Sequence, residues 1–83
     1  MTSIEVLKMD GCTESEATKH LENGTTVFED TDFEKNLESY LDEWNIDEED
    51  RAEYRRMVAE KKPVTDWGIV EHDEKTYYIQ YCL

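Results

Sequence analysis

The chain has 83 residues, of which 37% are hydrophobic, and its 22 acidic and 9 basic side chains give a net charge of −13 at pH 7. Such a chain forms a single domain, residues 1–83, because a hydrophobic core this small cannot be divided. The charge argues against direct binding to nucleic acid or to an anionic membrane surface and leaves basic proteins as partners.

The first two elements are predicted to be short helices. Apolar residues share one helical face within residues 3–9. Thr13 and Glu16 have the spacing of a capping box, in which the threonine hydroxyl and the glutamate carboxylate each accept an amide hydrogen bond at a helix start. Asn23 and Gly24 favour the left-handed conformation that ends a helix.

The middle of the chain predicts a strand and then two longer helices. Residues 25–28 are β-branched or aromatic, which favours a strand beside a C-terminal hairpin. Asp30 or Thr31 is expected to cap the next helix. Its apolar residues recur at intervals of four, three, one and three and form one stripe: Phe33, Leu37, Tyr40, Leu41 and Trp44. Asp47 is expected to cap the following helix, and Pro63 to end it.

The last segment, residues 65–83, predicts a β-hairpin. We expect a three-residue loop near Asp73 and Glu74, because it places the apolar residues of the hairpin on one face. These residues are Trp67, Ile69, Tyr77, Ile79 and Tyr81. A two-residue turn at Asp73 and Glu74 would divide them between two faces. With the longer loop, Tyr78 lies on the opposite face, which is either covered by another element or available to a partner.

The predicted fold class is α+β, with three to four short helices packed on one face of a small antiparallel sheet built on the C-terminal β-hairpin. The helical stripe and the apolar face of the hairpin are expected to meet in one core. Aromatic side chains supply much of its area, because each buries about 150 to 250 Å².

No pattern in the sequence indicates a catalytic, cofactor or metal site, and we predict that the protein is not an enzyme. The acidic clusters at residues 30–34 and 47–50 lack the glycine and the ligand spacing of a calcium loop, and they fit helix caps. The soft metal ligands form two distant pairs without the spacing of a structural zinc site: Cys12, His20, His72 and Cys82.

The compartment is expected to be the cytoplasm. No segment has the ~20 apolar residues of a membrane span, and no basic stretch followed by an apolar one marks a signal peptide. Cys12 and Cys82 fit a reducing compartment, although a count of two cysteines also allows one disulfide between them.

The acidic side chains concentrate on the two longer helices, and these residues with Tyr78 are the candidate partner-binding residues: Asp42, Glu43, Asp47, Glu48, Glu49, Asp50, Glu53 and Tyr78. We predict a non-enzymatic accessory protein that binds another protein, with a basic protein as one candidate. An alternative is an acidic mimic of nucleic acid that inhibits a DNA- or RNA-binding host-defence protein. A solubilising face, and a small-ligand or enzyme site built from distant residues, are further interpretations.

Five segments together resemble small acidic uncharacterised proteins of gut bacteria, which are often associated with mobile genetic elements: residues 9–17, 20–25, 42–44, 66–70 and 76–79. The resemblance covers nearly the whole chain. It implies a bacterial cytoplasmic setting and assigns no activity and no residue role. Such proteins often have a glycine in the hairpin turn, where this chain has Asp73 and Glu74.

Overall fold

A computed structural model describes residues 1–64 and 66–82. In chain order the elements of the described residues are α1 Ser3–Met9, α2 Glu14–Glu22, β1 Thr26–Glu29, α3 Asp30–Glu43, α4 Glu48–Glu60, β2 Trp67–His72 and β3 Lys75–Gln80. They confirm the predicted α+β class, with an antiparallel sheet and a C-terminal hairpin. Thr65 and Leu83, the first residue and the last residue of the predicted hairpin segment, lie outside the described residues.

The predicted capping box at the start of α2 is confirmed. The Glu16 amide donates to Thr13 Oγ1 at 3.1 Å, and the Thr13 amide donates to Glu16 Oε1 at 2.9 Å. The hydrogen bond that the Thr13 amide donates lowers the pKa of the Glu16 carboxyl, because it stabilises the charged form. A second capping box, between Thr2 and Glu5, begins α1. Gly24, at φ +101°, takes the left-handed conformation after α2.

The start of α3 differs from the prediction. This helix begins at Asp30, directly after β1, and its N-cap is Glu29, which makes no side-chain capping hydrogen bond. The expected cap at Asp30 or Thr31 is therefore wrong, because the chain passes from strand to helix without a linking residue. Asp47 is the N-cap of α4 as predicted, also without a side-chain capping hydrogen bond.

The sheet has the strand order β1-β3-β2, so β3 is the central strand and pairs antiparallel with both neighbours. In the hairpin His72 pairs with Lys75, which leaves a turn of only Asp73 and Glu74. Both turn residues have positive φ, at 49° and 65°. This conformation matches a type I′ turn, whose twist suits a two-residue hairpin. The expected three-residue loop is wrong.

The two-residue turn divides the apolar hairpin residues between the faces of the sheet, and each face has its own helical layer. One layer, α3 and α4, packs on Phe28, Trp67, Ile69 and Tyr78. The other layer, α1 and α2, packs on Val27, Val70, Tyr77, Ile79 and Tyr81. The predicted packing on one face, with one core, is therefore corrected to a sheet between two helical layers. None of the described helices has the length and apolar character that a membrane span needs.

Candidate protein-binding surface

The connection between α3 and α4, here called the α3–α4 corner (residues 42–50), is a tight reversal built from local hydrogen bonds. Trp44 is the C-cap of α3, and Asn45 takes a left-handed conformation at φ 52°. The Ile46 amide then donates to the Leu41 carbonyl at 3.0 Å, and the Ile46 side chain packs against the α3–α4 core. These contacts bring the two acidic helices together at a short turn.

Arg51 of α4 stabilises this corner through three hydrogen bonds to residues that precede it. Its Nε donates to the Ile46 carbonyl at 2.7 Å, its Nη1 to Asp42 Oδ1 at 2.7 Å and its Nη2 to the Leu41 carbonyl at 3.5 Å. The Arg51 side chain is only 17% exposed. α3 has no basic residue in its last turn, so Arg51 supplies the positive charge that the carbonyl end of the helix favours.

The structure leaves all seven predicted acidic residues of the two helices exposed: Asp42, Glu43, Asp47, Glu48, Glu49, Asp50 and Glu53. Asp42 pairs with Arg51, and Glu53 lies 4.0 Å from Arg56. The remaining acids form no ion pair with any residue in the described part of the chain. The corner therefore carries concentrated negative charge that the fold does not neutralise.

The position of each carboxylate along its helix decides whether the helix dipole stabilises its negative charge. Glu48, Glu49 and Asp50 lie in the first turn of α4, where the helix dipole stabilises negative charge. Asp42 and Glu43 lie in the last turn of α3, where the dipole opposes it. Arg51 offsets the charge of Asp42. Glu43 has no such partner among residues 1–64 and 66–82, and its charge favours an external cation.

Trp44 lies in the middle of this corner and is 60% exposed. The prediction that it belongs to the core is wrong, because only the first four residues of the helical stripe are buried: Phe33, Leu37, Tyr40 and Leu41. Its ring centroid lies 6.3 Å from that of Tyr40. The helical period placed it on the apolar face, but Trp44 is the C-cap residue, and the buried part of the stripe ends at Leu41.

The indole forms one wall of an open groove of about 310 Å³, here called the Trp44 groove. Three segments line it, namely the turn before β1, the end of β3 and the end of α3: Gly24, Thr26, Trp44, Gln80, Tyr81 and Cys82. No lining residue is basic. The groove brings together residues that lie more than half the chain apart, and no sequence motif marked it.

Tyr78 does not belong to this surface. It is fully buried against Phe33, with ring centroids 4.9 Å apart, so the prediction that it contacts a partner is corrected to a role in the core. Its hydroxyl accepts a hydrogen bond from Lys61 Nζ at 2.9 Å and lies 3.4 Å from Asp30 Oδ1. Burial opposes the charge of Lys61, yet hydrogen bonds with Tyr78, Glu34 and Asp30 outweigh it and raise the Lys61 pKa.

A second group of polar side chains lies on the other face of the sheet. The Tyr81 hydroxyl donates to Asp10 Oδ2, Cys12 Sγ lies 3.9 Å from the same hydroxyl, and the His20 ring packs edge-on against Tyr81 at 5.1 Å. Burial and the Asp10 carboxylate raise the Tyr81 pKa, so this hydroxyl keeps its proton. The group ties the α1–α2 layer to the end of β3.

The other residues considered as metal ligands do not form a site. His72 lies on β2 and contacts Asp73 at 3.1 Å, and both cysteines are free. Within residues 1–64 and 66–82, no three or more His, Cys, Asp and Glu side chains are arranged to hold a metal ion.

Comparison with protein-family models, with curated proteins and with solved structures found no match to this chain. No function can therefore be transferred from a relative.

Proposed function

We propose that this protein acts by binding the basic surface of another protein through its α3–α4 corner. The observation that supports this most is Trp44, 60% exposed within a run of exposed carboxylates. Tryptophan is enriched among the residues that dominate binding energy at interfaces, and unpaired carboxylates attract and orient a basic partner. The corner thus combines an apolar anchor with a charged surround.

The rigidity of the corner also supports binding. Arg51 holds both sides of the turn through three hydrogen bonds, so the partner would not have to order this segment. A surface that is already in its bound conformation loses less entropy on association. A surface that only increases solubility needs neither an exposed indole nor a backbone held by side-chain hydrogen bonds, because scattered charges are sufficient for solubility.

Mimicry of a nucleic-acid backbone is the second candidate function. It is favoured by the acids of the corner that the fold leaves unpaired, which continue from one helix to the next. A mimic would occupy the basic groove of a DNA- or RNA-binding protein and exclude its ligand. Competition with nucleic acid separates this candidate from binding at any other basic surface.

The test is crosslinking from the corner. Photoreactive benzoylphenylalanine in place of Glu48, which leaves Trp44 intact, should crosslink a basic protein in bacterial lysate at low salt, and the same residue in place of Glu22 on α2 should not. Glu48 and Glu22 are both exposed, so the fold should tolerate either substitution. Addition of DNA or RNA should prevent the crosslink only for a mimic.

Charge variants supply the matched control. The corner variant neutralises three carboxylates: Glu43→Gln, Asp47→Asn and Glu49→Gln. The control variant removes the same charge elsewhere on the exposed surface: Glu22→Gln, Glu71→Gln and Asp73→Asn. The partner should be lost from the corner variant and kept by the control, with affinity falling as salt rises. Equal retention by both variants, or no crosslink specific to position 48, would refute the proposal.

A further inference from the structure

We infer that the cation bound at the corner is an arginine side chain of the partner, which enters the Trp44 groove, stacks on the indole and pairs with Glu43. This inference rests on the proposed function and adds to it the chemistry of the partner residue. The partner segment would therefore be rich in arginine rather than basic in general.

The groove and the corner beside it offer the contacts that a guanidinium needs. Trp44 lines the groove with a largely exposed aromatic side chain. Glu43, its neighbour in the chain, does not line the groove but supplies an exposed carboxylate without an ion pair in the described part of the protein. The half-buried Gln80 side chain also lines the groove and makes no hydrogen bond with another described residue, so its amide oxygen can accept one. No basic side chain lines the groove to repel a cation.

These groups distinguish arginine from lysine. Tryptophan is the best aromatic partner for a cation above its ring, and the planar guanidinium can stack on the indole while its edge donates several hydrogen bonds. An ammonium group is a compact, strongly hydrated charge that would gain the ion pair and lose the stacking. The charge of −13 attracts both residues alike, so only the groove accounts for a preference.

The test compares two fluorescently labelled peptides of equal length and charge, one built on arginine and one on lysine. The protein should bind the arginine peptide about two- to fivefold more tightly, as expected for a cation–π contact at an exposed site. Trp44→Leu, which keeps apolar bulk and removes the aromatic face, should abolish that preference. Circular dichroism and thermal melting of Trp44→Leu should match those of the wild type, because the indole is mostly outside the core.

Intrinsic fluorescence gives an independent measurement of where the peptide binds. The other tryptophan, Trp67, is only 7% exposed, so acrylamide should quench mainly Trp44. The arginine peptide should protect Trp44 from acrylamide in the wild type and should leave the emission of the Trp44→Phe variant unchanged.

The outcomes distinguish the inference from the proposed function. If both peptides bind equally well and only neutralisation of the corner weakens them, the arginine inference fails and binding to a basic surface stands. If the preference for arginine persists in Trp44→Leu, the groove is not its site and the inference fails as well. If neither the corner variant nor Trp44→Leu changes the affinity for either peptide, both proposals fail.

Discussion

Replacing Gly68 with alanine tests how the α1–α2 layer is held on the sheet. Gly68 lies on β2, on the face that this layer covers. A methyl group at this position would lie 2.7 Å from Asp10 Oδ2 and 3.1 Å from Tyr81 Cε2. The first distance is shorter than any stable contact, so the Asp10 carboxylate must turn away. It would then lose the hydrogen bond that Tyr81 donates to it.

The expected magnitude follows from these contacts. A hydrogen bond to a charged group contributes about 1.5 to 3 kcal/mol, and the lower end applies here because Asp10 is exposed to solvent. Alanine is favoured over glycine in a strand by roughly 0.5 to 1 kcal/mol, which offsets part of the loss. Allowing also for the tight contact with Tyr81, Gly68→Ala should destabilise the protein by about 1 to 2 kcal/mol. For a domain of this length the melting temperature should fall by roughly 5 to 15 °C.

Urea denaturation in two backgrounds provides the assay. In Asp10→Ala the carboxylate is already absent, so adding Gly68→Ala should cost much less than it does in the wild type, and the two substitutions should be non-additive. Asp73→Ala, which removes an exposed carboxylate in the hairpin turn, is the control background and should leave the full cost of Gly68→Ala intact. An equal loss in the Asp10→Ala and wild-type backgrounds would refute the reasoning, as would an unchanged stability of Gly68→Ala alone.

Three further predictions concern the other layer and the hairpin. Arg51→Ala should cost about 1 to 3 kcal/mol of unfolding free energy, because it removes two hydrogen bonds to carbonyls and the ion-pair partner of Asp42. Arg55→Ala, which removes a more exposed pair, should cost less in the same urea titration. Replacing Asp73 and Glu74 with Asn-Gly should raise the melting temperature, because both positions have positive φ and the present side chains oppose it by about 1 kcal/mol or more. Burial raises the pKa of Tyr40 to about 12. Below pH 10 this tyrosine is neutral in both the folded and the unfolded protein, whereas between pH 10 and 12 it ionises only in the unfolded protein. The free energy of unfolding should therefore fall over that interval by about 2 kcal/mol, and by less in Tyr40→Phe.

The features that the sequence predicted well are those decided by residues close together in the chain. The capping box of Thr13 and Glu16 depends on a spacing of three, and the end of α2 depends on Gly24. Both were predicted correctly because no distant residue can change them. The α+β class followed in the same way, since each helix and strand has its own apolar period.

The two-sided sheet was missed because one assumption about distant residues was wrong. With only one covered face, a two-residue turn exposes half of the apolar hairpin residues, and for that reason the sequence alone favours a three-residue loop. The run Tyr77, Tyr78 and Ile79 is apolar at consecutive positions, which is typical of a strand buried on both faces. That run was the signal for the second helical layer.

The candidate surface was predicted in part. Its acids were expected on the exposed faces of two helices, and their exposure is confirmed for all seven. The exposure of Trp44 could not be read from the helical period, because it depends on where the packed part of α3 ends. The Trp44 groove was beyond sequence reasoning, since it joins Gly24, Trp44 and Gln80 from three separate segments.

The strand order has a consequence for the sequence of folding events. β2 and β3 are joined by a two-residue turn and can pair within microseconds, whereas β1 pairs only with β3, and about fifty residues separate Thr26 from its partner Gln80. During synthesis, β1 therefore emerges long before the strand that it needs, and until then its backbone hydrogen bonds have no partner in the sheet. We therefore expect the hairpin to form first and β1 to join it in a slower step.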